Sequence, residues 1–469
     1  MFDTAKKRHS LRIVIPAFPS FNIYSSIART TTALGPVCVA SVVGNARPSA
    51  LAPASCFRAL LRFMVGSLLA GIKLGGLITV SALSGQTKNM KHITRVVALI
   101  AFAAVFAGCE TARHQSPQPR ARWTAEQANA WHAKQPWLVG CNFTPSTAIN
   151  QLEMWQAETW DPATIDRELG WAQGLGFTSV RVFLHDIAWR QDREGFLKRV
   201  DQFLGLAAQH RIGVMLVLFD GVWDPFPKPG PQREPYPHRH NSGWVQSPAQ
   251  EILKDPARHD ELKAYVQAVV GRFRADRRVQ VWDVYNEPDN PVPQYRDVEL
   301  KNKAEMALAL LQKTFVWARE MNPTQPLTSG VWIGNWPDPA KLSPTERCQL
   351  EESDVMSFHN YGPLEDAQKC VQNLRRYGRP LLCTEFMARP RGSRFDPVLG
   401  WFKDQHVAAY CWGFVAGKTQ TIYPWDSWTK PYTAEPNPWF HDILRRDGTP
   451  YDAAEVDYIK RMTGAAGAR

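Results

Sequence analysis

Acidic side chains are almost missing from the first quarter of this chain. Residues 1–108 contain twelve Lys or Arg residues and a single acidic residue, Asp3. The whole formal excess of +11 therefore lies in this segment, and the rest of the chain carries basic and acidic side chains in equal number. A nucleic-acid-binding domain needs clustered positive charge on its folded part. The charge distribution excludes that class of function.

Tryptophan is missing from the same region. All 18 Trp residues lie between Trp123 and Trp439. A length of 469 residues is compatible with two or three domains, or with one barrel and a long leader. Because charge and tryptophan content both change near the same place, the composition favours one domain behind a leader.

No uninterrupted apolar run near the front of the chain is long enough to cross a bilayer comfortably. Val96–Ala107 contains twelve apolar residues, whereas a transmembrane helix needs about 20. This run follows the basic segment Met90–Arg95 and leads into Phe106-Ala-Gly-Cys109. The order of basic segment, apolar run and final cysteine is similar to a bacterial lipoprotein signal.

This similarity implies that residues 90–108 are a signal peptide and that Cys109 carries a lipid as the first residue of the mature chain. An ordinary secretory signal or a signal anchor is the alternative. Glu110 follows Cys109, and lipoproteins without Asp at that position are usually found at the outer membrane. We therefore expect an exported protein of the cell envelope, held at the membrane by its lipid, with residues 109–135 as a polar tether.

Residues 1–89 have no evident role in this arrangement. Their low acidity and the good internal start at Met90 indicate that the start codon is assigned too far upstream. A second apolar stretch, Leu60–Leu83, is interrupted by Arg62 and Lys73. It leaves a real membrane anchor as the alternative.

Cysteine and histidine do not occur at metal-ligand spacing, so we expect no metal and no other cofactor. Three of the five cysteines beyond the signal, Cys141, Cys383 and Cys411, lie in apolar strand-like runs and are predicted to be buried thiols. Cys348 and Cys370 lie in polar connecting segments. These two could pair in an oxidising envelope.

Short apolar runs alternate with helical patterns about eight times over the second part of the chain. The predicted strands are 137–142, 177–183, 213–219, 279–287, 326–332, 354–361, 380–386 and 408–414. The predicted helices are 162–175, 196–210, 262–273, 304–321, 364–377 and 397–405. Such alternation indicates βαβ units and a parallel sheet. We predict an α/β fold, a single (β/α)8 TIM barrel over residues 136–463, with a doubly wound sheet as the alternative.

Two of the predicted strands end in a glutamate. The fourth ends at Asn286-Glu287-Pro288, where the missing amide hydrogen of Pro288 stops the strand. The seventh ends at Glu385. Chemistry in a (β/α)8 barrel takes place at the C-terminal ends of the strands, and two carboxylates at one mouth are what glycoside hydrolysis needs. The alternative for each glutamate is a surface charge or a structural ion pair.

The segment from Trp137 to about Met462 resembles the glycoside hydrolases of clan A, and within that clan the cellulase-like family five. The resemblance rests on residues at matching strand ends, namely Arg181, Asn286-Glu287-Pro288, His359, Tyr361, Thr384-Glu385-Phe386 and Trp412. One departure is Phe219-Asp220-Gly221, because the family usually has a His near the end of strand three. The resemblance implies a retaining β-glycoside hydrolase acting on β-glucan, mannan or xylan.

The resemblance also implies a role for each of these residues. Glu385 is expected to be the ionised nucleophile and Glu287 the acid and base. The binding residues are expected to be Arg181 beside the nucleophile, Tyr361 hydrogen-bonded to the same oxygen and releasing it during attack, Asn286 on the sugar 2-hydroxyl, His359 as an orienting group and Trp412 as a face for the sugar ring. A buried ion pair for Arg181 and a satisfied core histidine for His359 are the alternatives.

Several further residues are weaker candidates. Trp155, Trp244 and Trp425 are possible sugar platforms, and the long connection Asp220–Gln250 is expected to border the cleft. Asp283 and Asp289, which flank the acid and base, are expected to be structural. The competing function is a non-catalytic carbohydrate-binding barrel, which two costly adjacent carboxylates disfavour.

Overall fold

The computed structural model describes residues 119–467 together with the short segments Leu11–Ile13 and Ile78–Val80. These two segments pair with each other as antiparallel strands. The predictions for the start codon, the signal peptide and the lipid on Cys109 fall outside the described residues, as does the first part of the tether. In the part of the chain that is described, no helix is long and apolar enough to cross a membrane.

Eight parallel strands form the centre of the folded domain. They are β1 (Val139–Asn142), β2 (Ser179–Phe183), β3 (Gly213–Val217), β4 (Val279–Asp283), β5 (Leu327–Thr328), β6 (Met356–Asn360), β7 (Leu381–Phe386) and β8 (Ala408–Cys411). Neighbours pair in chain order from β1 to β5 and from β6 to β8, and β8 pairs with β1. A bridge between Val331 and Phe358 joins the end of β5 to β6, so the sheet closes. The predicted (β/α)8 barrel is confirmed.

Helices surround this barrel. They are α1 (Ala125–His132), α2 (Gln151–Trp155), α3 (Pro162–Gly174), α4 (Asp186–Gln191), α5 (Arg193–Gln209), α6 (Gln250–Leu253), α7 (Lys263–Phe273), α8 (Lys303–Glu320), α9 (Pro344–Glu352), α10 (Leu364–Leu374), α11 (Phe395–Asp404) and α12 (Ala453–Thr463). The six helices predicted from apolar spacing all form, with ends shifted by at most three residues. Their apolar faces pack on the outside of the strands and complete the core.

Helix α9 was not predicted, although its start carries a clear signal. Ser343 and Glu346 form a reciprocal capping box, and Pro344 occupies the first turn. The helix has few apolar residues, so its hydrophobic periodicity is weak. The capping box could have predicted this helix, whereas hydrophobic periodicity could not.

The floor of the barrel is covered by a segment that the sequence analysis assigned to the tether. Thr124 caps α1 through a capping box with Gln127, and Ala128 is fully buried among apolar residues from the lower ends of the strands. Arg120 forms a salt bridge of 2.5 Å with Asp354. Residues 119–135 are therefore part of the folded domain, because their apolar side chains close the N-terminal end of the barrel.

The proposed pairing of Cys348 and Cys370 is wrong. Both thiols are free, and they lie in α9 and α10 rather than in connecting segments. Burial raises the pKa of each thiol to about 12, which keeps them protonated and unreactive. The predicted burial of Cys141, Cys383 and Cys411 is confirmed.

Candidate active site

A cavity of about 720 Å³ opens at the C-terminal ends of the strands. It is lined by most of the predicted site residues, namely Asn286, Glu287, His359, Tyr361, Glu385 and Trp412. Arg181 does not reach the cavity wall, since it is fully buried beneath these residues. The structure thus brings all seven predicted site residues together at the mouth of the barrel.

Arg181, in the middle of β2, organises the base of the site. Its Nε and Nη2 both donate to Oδ2 of Asp283, at 3.1 and 2.8 Å. Nη1 donates to Asn142 and to Oε1 of Glu385, both at 2.8 Å, and Nη2 donates to Asn286 at 2.7 Å. All five N–H groups of the guanidinium are therefore used.

Two carboxylates stabilise the buried positive charge of Arg181. Burial alone would lower the pKa of Arg181, but the charges of Asp283 and Glu385 raise it above its ordinary value. A fully buried guanidinium without such partners would be very costly. Asp283 therefore has the structural role that the sequence predicted, because it fixes the orientation of Arg181.

Glu385 lies near the end of β7 with both oxygens bonded. Oε1 accepts from Arg181, and Oε2 accepts from the hydroxyl of Tyr361 at 2.7 Å. Burial raises the pKa of Glu385, whereas Arg181 and the Tyr361 hydroxyl oppose this rise. Both contacts favour the ionised form. Their geometry suits a carboxylate that must present one oxygen to an electrophile.

Glu287 does not lie in β4 itself, which ends four residues earlier at Asp283. Its backbone has a φ of 40°, in the left-handed region that non-glycine residues rarely adopt. Oε2 accepts from Nδ2 of Asn290 at 2.6 Å. Burial raises the pKa of Glu287 to about 7. A carboxyl with this pKa can donate and accept a proton near neutral pH.

Gly221 explains how the chain after β3 reaches Glu287. A Cβ atom at this position would lie 2.3 Å from the carbonyl oxygen of Glu287. The amide of Gly221 also donates to the carbonyl of Asn286 at 2.9 Å. Only glycine allows this close approach, which supports the strained turn that carries the two residues.

His359 lies between the two glutamates. Its Nδ1 is 2.7 Å from Oε1 of Glu287, and its Nε2 is 3.6 Å from Oε1 of Glu385. Burial lowers the pKa of His359 to about 4, so the ring is neutral near pH 7. A neutral imidazole can donate or accept a hydrogen bond beside Glu287 without adding charge.

The same three side chains also satisfy the spacing of a metal site, since one atom from each of Glu287, His359 and Glu385 lies within 4.8 Å of the others. However, Arg181 already contacts Glu385 at 2.8 Å. A divalent cation in this position would be repelled by a permanent positive charge. This repulsion disfavours a metal ion held by these three side chains.

Asp220 occupies the place where the resembled family usually has a histidine. Its Oδ1 accepts from Nδ2 of Asn286 at 3.0 Å. Its Oδ2 accepts from Nε1 of Trp244 at 2.6 Å and from Nε2 of Gln151 at 3.0 Å. Burial raises the pKa of Asp220 to about 7. Sequence reasoning recorded the departure but assigned Asp220 no role, although its position at the end of strand three was the available signal.

Of the four tryptophans predicted to contact sugar, three line the cavity and one lies in the core. Trp412 packs edge to face against Phe183 and Trp244, with ring centroids 5.7 and 5.9 Å apart. Trp244 and Trp425 also line the cavity. Trp155 does not, so its interpretation as a sugar platform is wrong. Its ring is fully buried in the core, and its indole N–H donates to the carbonyl of Phe183.

The connection Asp220–Gln250 borders the cavity, as its length predicted. It contributes Trp223, His240, Asn241 and Trp244 to the wall. His238, in the same segment, is not among the lining residues and lies 2.7 Å from the carbonyl of Tyr432. Sequence reasoning did not identify His240 or Asn241, because nothing in the local pattern distinguishes them.

Asp289 has a structural contact, as predicted. Its Oδ1 accepts from Nε1 of Trp332 at 2.7 Å, and Trp332 lines the cavity on the side of β5. Asn290 and Asn335 lie on the same side. The cavity is thus bordered by the loops after β3 and β8 and by those after β4 and β5, together with residues that follow β6 and β7.

A closed parallel barrel with two buried carboxylates at its C-terminal mouth, one beside a fixed cation and one beside a neutral imidazole, is an arrangement that suits glycoside hydrolysis. The family model described as cellulase (glycosyl hydrolase family 5) matches residues 148–437, more than half of the chain. This chain belongs to glycosyl hydrolase family 5, whose members act with retention at the anomeric carbon. No curated protein sequence is significantly similar to it.

Several solved structures are similar to this chain at low sequence identity. The exo-beta-1,4-mannosidase of Opitutaceae bacterium strain TAV5 is 18% identical, with a TM-score of 0.47 over 70% of this chain and 60% of that chain. The beta-1,4-mannanase of the sea hare Aplysia kurodai is 15% identical, with a TM-score of 0.43 over 59% of this chain and 88% of that chain. This chain spans only about three fifths of the first protein's length. Identities and TM-scores this low give no information about the substrate.

Proposed function

We propose that this protein hydrolyses β-linked glycans by double displacement, with Glu385 as nucleophile and Glu287 as acid and base. The observation that carries the proposal is that carboxylate oxygens of Glu287 and Glu385 lie within 4.8 Å of each other. Retaining enzymes hold their two carboxyl groups about 5–5.5 Å apart, whereas inverting enzymes leave a wider gap for water.

In the first step, Glu385 attacks the anomeric carbon and forms a glycosyl ester. Arg181 keeps the attacking oxygen oriented, and the Tyr361 hydroxyl releases the other oxygen as its negative charge disappears. Glu287 donates its proton to the departing glycosidic oxygen. A pKa of about 7 keeps enough Glu287 protonated for this transfer at neutral pH.

In the second step, Glu287 acts as a base instead of an acid, and the ester bond to Glu385 breaks. Now ionised, Glu287 removes a proton from a water molecule that attacks the anomeric carbon, and Glu385 leaves as the carboxylate. The neutral His359 ring beside Glu287 accommodates both protonation states. Two inversions at one carbon retain its configuration.

The sugar ring is positioned by the remaining residues. Asn286, fixed between Arg181 and Asp220, has one amide hydrogen left for the sugar 2-hydroxyl, a bond that strengthens in the transition state. Trp412 provides an apolar face for the ring. Glucan, mannan and xylan chains all offer these features.

A panel of aryl β-glycosides tests the proposal. Hydrolysis with release of the β-anomer, followed by NMR, supports it, and release of the α-anomer contradicts it. The second candidate, a non-catalytic carbohydrate-binding barrel, gains support if oligosaccharides bind while no aryl glycoside is cleaved.

We also propose that the chain is exported and anchored through lipid on Cys109. The supporting observation is the basic, apolar, Ala-Gly-Cys order from Met90. Intact-mass analysis of native protein should give a lipidated chain that begins at Cys109. Native peptides from residues 1–89, or an unmodified Cys109, would contradict this proposal.

A further inference from the structure

Two long loops meet across the mouth of the barrel. We call residues 220–250, which follow β3, the β3 loop, and residues 412–452, which follow β8, the β8 loop. The backbone of Asn241 donates to the carbonyl of Thr419 at 2.8 Å, and that of His240 donates to Oγ of Ser427 at 3.0 Å. In return, Nε1 of Trp428 donates to the carbonyl of His240 at 2.8 Å.

Aromatic stacking reinforces this junction. The rings of Trp223 and Trp428 are stacked, with centroids 5.5 Å apart and planes only 6° from parallel. Nδ1 of His240 lies 2.8 Å from the carbonyl of Tyr423, and His240 and Asn241 are both 1% exposed. The two loops therefore form a packed wall rather than two mobile tips.

The strand order determines which end of the cavity this wall closes. Strands β1 and β2 separate β8 from β3 in the sheet, so the joined loops pass above β1 and β2. Glu287 follows β4, which pairs with β3 on the edge away from β1 and β2, and Asn290 and Trp332 lie beyond it. Because Glu287 protonates the leaving oxygen, the leaving group lies towards β4 and β5, and the sugar attacked by Glu385 lies towards the wall.

Asn241 lies in this wall, and its side-chain amide has no hydrogen-bond partner among residues 119–467. This holds for both Nδ2 and Oδ1, although the side chain is buried. The backbone of Asn241 has a φ of 45°, which Asn tolerates better than most residues. It lines the main cavity and also a small cavity of about 20 Å³ that it shares with Trp244 and Trp412.

A buried amide without partners is costly and therefore points to a ligand. A sugar hydroxyl both donates and accepts, which matches the two ends of the Asn241 side chain. The small cavity is just large enough for one water molecule, which could bond to only part of the amide. The position beside Trp244 and Trp412 places Asn241 at the sugar that Trp412 holds.

We propose that the site accepts only the non-reducing terminal sugar of a β-glycan, that Asn241 binds a hydroxyl of this sugar, and that the enzyme releases monosaccharides one at a time. The inference rests on the proposed function, since it needs the leaving group on the Glu287 side. A chain that continued past the terminal sugar would have to pass through the wall formed by the β3 and β8 loops.

The first experiment compares products from manno-, cello- and xylohexaose labelled at the reducing end. We expect an unlabelled monosaccharide and a labelled pentasaccharide as the first products, and no early loss of viscosity with the corresponding polymer. Early release of unlabelled di- or trisaccharides, or rapid viscosity loss, would overturn the inference. Failure to cleave any aryl β-glycoside would instead overturn the proposed function.

The second experiment tests Asn241 directly with Asn241→Ala and Asn241→Asp. Because Asn241 has no side-chain bond to lose in the free protein, Asn241→Ala should lower the melting temperature only slightly, through the less favourable φ of 45° and the lost packing. Its kcat/KM on aryl β-monoglycosides should fall by about 10–100-fold, since a sugar hydroxyl loses its partner. Asn241→Asp keeps an acceptor and loses the donor, so its loss should be smaller.

Asn302→Ala is the matched control, because Asn302 is exposed at the start of α8 and makes no side-chain capping bond. It should change neither the melting temperature nor kcat/KM. If Asn241→Ala lowered the melting temperature and left kcat/KM unchanged, Asn241 would serve only a structural water, and its assignment to the terminal sugar would be wrong.

Discussion

Nδ2 of Asn286 donates to Oδ1 of Asp220 at 3.0 Å, while Oδ1 of Asn286 accepts from Arg181 at 2.7 Å. Because a guanidinium only donates, Arg181 fixes the amide of Asn286 in one orientation, with Nδ2 towards Asp220. One amide hydrogen remains for the sugar. Asp220 is therefore a positioning residue that acts through Asn286.

Replacement of Asp220 by Ala should release Asn286. We expect kcat/KM on ordinary aryl β-glycosides to fall by about 10–100-fold, mostly through kcat, since the bond to the 2-hydroxyl strengthens in the transition state. On 2-deoxy aryl glycosides the same substitution should have little effect, because the bond is already absent. An equal loss on both substrates would show that Asp220 acts only through folding.

The two glutamates can be distinguished by rescue with azide. Glu287→Ala should still form the glycosyl ester from a dinitrophenyl glycoside, because dinitrophenolate leaves without a proton. It should then stall after a burst, and azide should restore turnover and give the β-azide. On natural glycans the loss should be at least about 10²–10⁴-fold.

Glu385→Ala is the matched variant. It cannot form the ester, so its rate should fall on every substrate, and azide should give the α-azide by direct displacement. NMR of the azide products decides the outcome. The same anomer from both variants, or near-normal rates for Glu385→Ala, would contradict the assignment.

The pH dependence of kcat/KM should reflect Glu287. Burial raises its pKa to about 7, and the first step requires the protonated acid. Activity on glycosides with poor leaving groups should therefore fall as pH rises through 7. With dinitrophenyl glycosides this alkaline limb should disappear. An unchanged alkaline limb in Glu287→Ala would assign that titration to another group.

A second pH effect should come from a buried carboxyl that does not line the cavity. Glu168, in α3, accepts from the amide and hydroxyl of Ser146, and burial raises its pKa to about 7. In the unfolded chain it titrates near 4.3, so the folded state binds the proton more tightly. Stability should fall as pH rises between these values, by up to about 4 kcal/mol.

Glu168→Gln removes this titrating group. The difference in unfolding free energy between pH 5 and pH 8, measured with urea, should be smaller in the variant than in the parent protein. The other buried carboxyls are present in both proteins and cancel. The same pH dependence in both would mean that Glu168 titrates normally in the folded state.

The strand-end residues of this site could be predicted from the sequence. Glu287 and Glu385 follow short apolar runs, and parallel strands in a barrel end at the same mouth, so strand periodicity and topology together bring them close. Arg181 was recognisable as a charge inside an apolar strand. For these residues, the local sequence pattern and the general architecture of a barrel are sufficient to predict their positions.

The loop residues could not be predicted in the same way. His240 depends on Ser427 and Tyr423, which are 187 and 183 residues away in sequence. No local periodicity records such contacts. Trp155 shows the opposite error, since an aromatic residue after the first strand suggested a cavity wall, whereas the short helix α2 turns its ring into the core.

Helix α1 has a consequence for how the enzyme can be presented to its substrate. The helix closes the N-terminal end of the barrel, and Arg120 at its start is held there by Asp354. The chain therefore enters the domain on the face opposite the cavity. A glycan chain can therefore approach the mouth of the barrel without meeting the segment that closes its floor, residues 119–135.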